Sequence, residues 1–310
     1  MTQDGMRFDI AGVERETGIG KDTLRVWERR YGFPVPQRNE RDERIYPEAQ
    51  VERLRLVKRL LDRGMRPAKV VGLEVAALQA LLGQTQQELP RTEALGAFID
   101  LVQAHDAEGL RIAFGRALLA QGLERFLAET AAPLNLQVGE AWMRGEIRVF
   151  EEHLYSEQLG QVLRQAIALL QGADASPRVL LTTLPGEEHT LGLLMAEAIL
   201  CLHGAACITL GAQTPVKEIV LAADAHRIDI VALSFSETLP ATQVRAGIQQ
   251  ARAALPAEIG LWVGGAGVAR VRTPAEGVQS MASLPAVAAA VADWRASAGR
   301  TAGRPGRPAP

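Results

Sequence analysis

The chain has 310 residues, with 34 Lys+Arg against 36 Asp+Glu and 47% hydrophobic content, the profile of an ordinary globular protein with room for two or three domains. No run of about 18 apolar residues could span a bilayer and no signal peptide opens the chain, so a cytoplasmic protein with no membrane partner is expected. Cys201 and Cys207 are too few for a disulfide framework, lack metal-site companions, and read as buried thiols in a reducing compartment.

The first segment, residues 1–72, is read as a winged helix-turn-helix. Asp9 to Thr17 predicts a short helix broken by Gly18, and Lys21 to Tyr31 predicts a second. Two short helices joined by a tight glycine turn place the second in a DNA major groove. Leu24 and Trp27, three apart, face the small core while Arg25 and Arg29 face out. Pro34 and Pro36 stop the helix, Gln37 to Tyr46 forms a wing carrying Arg38, Arg41 and Arg44, and a further amphipathic helix runs from Pro47 to about Asp62. Residues 1–70 hold 16 Lys+Arg against 12 Asp+Glu, a net of +4, whereas residues 71–310 hold 18 against 24, a net of −6. The charge that attracts phosphate therefore sits at the N-terminal end.

A connecting helix and linker are expected over 73–91, then a four-helix bundle over 92–173. Its apolar faces are Phe98, Leu101 and Val102; Leu110, Phe114 and Leu118; Leu123 through Leu134, Val138 and Trp142; and Leu154, Leu163, Ile167 and Leu170, with Gly145 closing the third helix. Trp142, Glu152 and His153 fall at adjoining ends of the third and fourth helices. An aromatic plane, a carboxylate and an imidazole suit a ribose and a purine.

Residues 174–297 read as a flavodoxin-like, doubly wound parallel sheet, and 298–310, rich in Gly, Pro, Arg and Ala, as a disordered tail. Three strand-end signals fall on one edge of this sheet. Glu187-Glu188-His189-Thr190-Leu191-Gly192 follows the strand starting at Arg178; Ser234-Phe235-Ser236 follows Ile228–Leu233; and Gly264-Gly265 ends Ile259–Val263. Loops leaving the carboxyl ends of parallel strands are where open α/β sheets bind ligands, and a neutral imidazole is the commonest metal donor among side chains. His189 is thus a candidate axial ligand, with Gly192, Ser234, Gly264 and Gly265 leaving room for a long ligand tail.

The N-terminal segment resembles the MerR family. Leu24-Arg25-Val26-Trp27-Glu28-Arg29-Arg30-Tyr31-Gly32 matches its recognition helix, Arg44-Ile45-Tyr46 the end of its wing, and Glu52-Arg53-Leu54-Arg55-Leu56 its next helix. The resemblance implies that Lys21, Arg25, Arg29, Arg38, Arg41, Arg44 and Tyr46 meet double-stranded DNA. The three strand-end signals resemble the cobalamin-binding fold, whose pattern is Asp-x-His-x-x-Gly, then Ser-x-Leu, then Gly-Gly. Here 41 residues separate Gly192 from Ser234 and 27 separate Ser236 from Gly264, the family's spacing. Glu187 stands for the family's Asp, which hydrogen-bonds the ligand histidine, and Ser236 stands for its Leu.

With Pro133, Gly139, Trp142, Gly145, Glu152 and His153, the whole order of segments resembles the adenosylcobalamin-dependent light-sensing regulators of the CarH and LitR type. That resemblance implies that His189 binds cobalt from below while Trp142, Met143, Glu152 and His153 cover the upper face. Light-sensing members carry a histidine where this chain has Met143, and a thioether is a much poorer donor to hard cobalt(III). The expected molecule is therefore not an enzyme. It is a DNA-binding regulator, by analogy a repressor, controlled by bound adenosylcobalamin and by light through loss of the upper ligand and a change of homo-oligomeric state, dimer or tetramer. The alternatives are a light-independent cobalamin sensor and an apo-regulator whose C-terminal domain binds a partner protein.

Overall fold

The computed structural model describes residues 7–39, 42–62, 65–84, 93–170, 172, 175–271 and 276–302. The chain divides into two compact units, Met1–Pro90 with Gly139–Ile147, and Arg91–Val138 with Arg148–Pro310.

In the first unit, β1 (Arg7–Asp9) leads into α1 (Ile10–Thr17), then α2 (Lys21–Tyr31), β2 (Gln37–Arg38), β3 (Arg44–Pro47), α3 (Glu48–Asp62), α4 (Pro67–Val70) and α5 (Val75–Gln84). Asp9 caps α1 by accepting from the Gly12 amide at 2.6 Å, and Gly18 ends it with φ +66, a left-handed turn that favours a residue without Cβ. This is the glycine-joined pair of helices expected from the sequence, with α2 at the expected bounds. β3 is the central strand of an antiparallel sheet ordered β1-β3-β2 among the described residues. Val13, Leu24, Trp27, Tyr46, Val51, Leu54, Val57 and Leu60 form a shared core, joined by Leu78 and Leu82 of α5.

In the second unit, α6 (Glu93–Gln103), α7 (Ala107–Gln121), a long third helix up to Val138 and α10 (Val149–Ala168) supply the bundle, the end of the third helix from Gly139 counting with the first unit. The third helix begins as α8 (Leu123–Arg125), widens into a π-helical segment (Phe126–Ala131) and continues as α9 (Ala132–Arg144). Pro133 has no N–H to give to the Glu129 carbonyl four residues back. Just before it the ladder has widened, and the Ala132 amide donates to the Leu127 carbonyl. The periodicity of the sequence does not expose that irregularity. Phe114 anchors the bundle interior, stacked on Phe98 at 5.0 Å and meeting Phe126 and Tyr155 edge-on at 6.3 and 6.0 Å.

The rest of this unit is β4 (Arg178–Thr182), α11 (Leu191–Leu202), β5 (Ala206–Gly211), α12 (Val216–Ala225), β6 (Ile230–Ser234), α13 (Ala241–Ala254), β7 (Gly260–Gly264), α14 (Ala266–Ala269), β8 (Val278–Met281) and α15 (Leu284–Ala302). The sheet is parallel throughout, ordered β5-β4-β6-β7-β8 among the described residues. Strand order reverses at β4, so the crevice beyond the carboxyl ends of β4 and β6 is the topological switch point. Helices α11 and α15 pack together, as do α12 and α13, and α10 of the bundle lies against α11. The multidomain α and α/β class is as expected. Two local expectations are corrected: α15 continues through Ala302, five residues into the stretch read as disordered, and Cys207 is only half-buried. The alanine-rich sequence before Gly303 propagates the helix easily.

Truncating Phe114 to alanine is expected to cost about 3–5 kcal/mol, because the emptied volume is enclosed by aromatic rings that cannot all close in. A urea titration should show the midpoint fall with little change in far-ultraviolet helix signal.

Candidate cofactor site and DNA-binding surface

The site at the switch point is built around a buried carboxylate. From buried Thr182 at the end of β4 the chain runs through buried Thr183, turns at Gly186 with φ +92, and folds Glu187 inward until it is 0% exposed. The Thr183 hydroxyl fixes this turn by donating to the Glu187 carbonyl at 2.6 Å while accepting from the Gln213 amide at 2.9 Å. An ionised carboxylate in such a place must have its lone pairs satisfied. Oε1 accepts from the His189 amide at 3.0 Å and pairs with His189 Nδ1 at 2.8 Å. Oε2 accepts from the Ser236 amide at 2.6 Å and the Ser236 hydroxyl at 2.8 Å.

The His189 side chain, by contrast, is 59% exposed against 0% for Glu187. In the neutral imidazole a carboxylate partner places the proton on Nδ1 and leaves the lone pair on Nε2, turned away from Glu187. The hydrogen bond that the imidazole donates to Glu187 raises its pKa against the opposing effect of burial, and the charges of Glu187, Glu152 and Glu188 add to it. For Glu187, burial pushes the pKa up, but the hydrogen bonds from His189 and Ser236 outweigh it and hold the carboxyl below its ordinary value.

Ser236 has a role the sequence reading did not find. Standing where the cobalamin-binding pattern has a leucine, its hydroxyl and amide hold the far oxygen of Glu187. The two departures from the cobalamin-binding pattern meet in one contact, since the extra methylene of Glu187 lets Oε2 reach a hydroxyl that leucine could not offer. Thr238 Oγ1 lies 2.6 Å from the Ser236 hydroxyl and extends the network.

The glycines separate into two kinds. A Cβ on Gly265 would come within 2.3 Å of the Phe235 carbonyl oxygen, and one on Gly267 within 2.4 Å of the Ser236 carbonyl oxygen, so both are required by the approach of α14 to the loop after β6. Gly265 is thus explained by packing of the protein on itself. At Gly192 an added Cβ would meet only Ser234 Oγ, at 3.7 Å, an ordinary contact. That open space at the start of α11 beside β6 can admit a ligand chain. Gly264 is likewise uncrowded, 3.5 Å from Met281.

On α10, Glu152 Oε1 accepts from the Ser156 hydroxyl at 2.6 Å, and Oε2 lies 3.2 Å from Nδ1 of His153, whose side chain is 72% exposed. The charge of Glu152 adds to the upward shift of the His189 pKa, after the larger effects of Glu187 and burial. Trp142, in the last turn of α9, belongs to the first unit, where the Arg59 guanidinium of α3 covers its ring at 4.0 Å. Nothing in the sequence pattern points to that pairing. Met143 lies on α9, but its side chain is outside the described residues.

Among the described residues, no group of three or more His, Cys, Asp or Glu could hold a bare metal ion. A single imidazole supported by a carboxylate suits a metal already held by a macrocycle, and His189, Glu187 and the space at Gly192 fit a corrinoid in that sense.

On the first unit, Arg25 pairs with Asp22 at 3.1 Å, Lys21 with Glu14 at 3.3 Å, Arg38 with Asp42 at 3.3 Å and Arg44 with Glu28 at 3.5 Å. Arg29 is also exposed. The first three of these pairs are accessible, contribute about 0–1 kcal/mol and can be exchanged for phosphate, whereas the Glu28 side chain is only 12% exposed. Arg41 lies outside the described residues. Tyr46 is a correction: it is wholly buried, donates to Glu28 at 2.6 Å, and has its phenol pKa pushed up chiefly by burial. As the core residue of a central strand it positions Glu28 and Arg44 and does not present its ring to DNA.

The MerR HTH family regulatory protein model matches residues 8–74, and two B12 binding domain models match 95–167 and 177–278. The chain is 31% identical over 275 residues to the HTH-type transcriptional repressor CarH of Myxococcus xanthus, covering 86% of this chain and 90% of that protein. This chain belongs to the CarH-type MerR family. It is also 34% identical over 233 residues to the repressor CarA of the same organism, covering 74% of this chain and 77% of that one. The monomethylamine corrinoid protein of Methanosarcina barkeri shares the fold, with TM-score 0.51 and 15% identity over 65% of this chain and 98% of its own. This CarH-type chain is a cobalamin-binding transcriptional regulator, not an enzyme. No helix among its described residues is long and apolar enough to cross a membrane.

Two substitutions test the site without any ligand. Glu187→Gln should lower the His189 pKa, read by NMR titration, because the main group raising it is lost. Ser236→Ala should cost about 1–3 kcal/mol in a urea titration, the usual penalty for removing a partner from a buried ionised group.

Proposed function

We propose that this regulator is a homo-oligomeric repressor whose grip on double-stranded DNA is set by adenosylcobalamin and released by light. The observation that carries the reading is His189, exposed and with Nε2 available, backed by a carboxylate that is itself fully hydrogen-bonded. His189 would hold cobalt from below, with Glu187 fixing its tautomer and orientation and Ser236 holding Glu187. Gly192, Ser234 and Gly264 would line the path of the cofactor tail, the space at Gly265 being taken by the Phe235 backbone. Trp142, Met143, Glu152 and His153 would cover the upper face, where the carboxylate of Glu152 can accept from ribose hydroxyls and the indole can exclude water. When bound, adenosylcobalamin supplies a carbon–cobalt bond that visible light breaks. The chain's own part is to convert the presence of the upper group into one arrangement of DNA-binding heads. A coupling of about 1–3 kcal/mol between cofactor and DNA would change occupancy by roughly 5- to 150-fold.

Lys21, Arg25, Arg29, Arg38, Arg41 and Arg44 would meet the phosphates and groove edges. Paired heads would then match two half-sites. Met143 favours a second reading, in which cobalamin is sensed without light, since its thioether replaces the imidazole that light-sensing members use once the upper ligand has gone.

Absorbance spectra and gel filtration of cofactor-loaded protein, in darkness and after green light, separate these readings. The proposal expects a red protein whose oligomeric size changes on illumination, and loss of the histidine-ligated spectrum in His189→Ala with the fold intact. An unchanged size supports the light-blind sensor, and a colourless protein removes cobalamin control altogether. Operator affinity should fall steeply with salt as counterions are released, and Arg25→Ala should make that dependence shallower.

A further inference from the structure

Arg59 lies in the last turn of α3, a helix of the DNA-binding head, and Trp142 lies in the last turn of α9. The two are remote in sequence yet belong to one compact unit, because Gly139–Ile147 is gathered with the head. Within this segment Ala141 is 1% and Ile147 2% exposed, so it is packed rather than draped. Gly145, with φ +76, closes the helix, its amide donating to the Trp142 carbonyl at 3.0 Å while the Glu146 amide donates to that of Ala141 at 2.9 Å. This cap fixes the backbone on which the indole is mounted. The Arg59 guanidinium sits over that indole with Cζ 4.0 Å from its centroid, and a planar cation on a tryptophan face is the strongest geometry of its kind.

An indole can lend its π cloud to a cation or lie against a purine, and here a cation from the head already holds it. We propose that Arg59 is a latch: it ties α3 of the head to Trp142, and an adenosyl group that needs Trp142 as cover must displace it. This rests on the reading of Trp142 as part of the upper cover. Arg59 is a positioning residue in this scheme and touches neither cobalt nor DNA.

The full-length chain tests the latch with two readouts. In cofactor-free protein, acrylamide quenching of the Trp142 fluorescence, isolated by subtracting Trp142→Phe from the parent, should rise by about twofold or more in Arg59→Gln, and by less in Arg59→Lys, which keeps the charge but loses the plane. Equilibrium dialysis against adenosylcobalamin in darkness should show Arg59→Gln binding roughly three- to tenfold more tightly than the parent. Arg59→Gln keeps length and polarity, and its circular dichroism should match the parent; Arg59→Lys gives the same ordering should the glutamine variant be unstable. Unchanged quenching in the variants overturns the contact. Altered quenching with unchanged or weakened cofactor affinity overturns the competition. If the parent chain binds no adenosylcobalamin, the proposed function falls and the competition with it, while quenching still reports on the contact.

Discussion

The buried carboxylate of Glu187 is the constraint on which the site depends. An ionised group with no exposure survives only if its oxygens are occupied, and here they are filled from two directions, by His189 on its own loop and by Ser236 on the loop after β6. Satisfying the charge therefore fixes the mutual position of two loops and orients the imidazole in the same act. Without that support His189 would be a surface histidine free to adopt any rotamer. With it, one nitrogen is committed and the other is presented at the switch point of the sheet.

The parallel sheet gives this arrangement its place. Reversal of strand order at β4 opens a crevice that α11 and the loop after β6 flank, and Gly265 and Gly267 let that loop be gripped by backbone hydrogen bonds, Phe235 N to Gly264 O and Gly267 N to Phe235 O. The bundle reaches the same neighbourhood through α10, packed on α11, whose Glu152 adds negative charge near His189. A ligand entering there would meet a donor from one module and acceptors from another, so its affinity and the arrangement of the modules become linked quantities.

Much of this was legible in residue patterns. The helix-turn-helix bounds follow from Asp9, Gly18 and the apolar spacing of Leu24 and Trp27, because caps and periodicity are local. The strand-end position of His189 follows from continuous apolar runs, which mark buried parallel strands. What could not be read depends on contacts between distant segments. The Ser236–Glu187 bond requires knowing that β6 lies beside β4 in register, and the Arg59–Trp142 stack requires knowing that the end of the third bundle helix is gathered with the head. Tyr46 failed for a related reason: a tyrosine near a basic wing reads as a surface group until the sheet order places its strand in the centre, with Glu28 waiting for its hydroxyl. The π-helical turn before Pro133 was missed because apolar spacing survives a single extra residue.

The central claim is that the nitrogen beneath cobalt comes from the protein. Electron paramagnetic resonance of the reduced cobalt(II) form, bound to protein uniformly labelled with nitrogen-15 and to unlabelled cofactor, tests it directly. The account requires the axial superhyperfine triplet of ordinary nitrogen to become a doublet on labelling, and to lose that doublet in His189→Ala. A triplet that survives labelling would assign the axial nitrogen to the cofactor's own base and contradict the role given to His189.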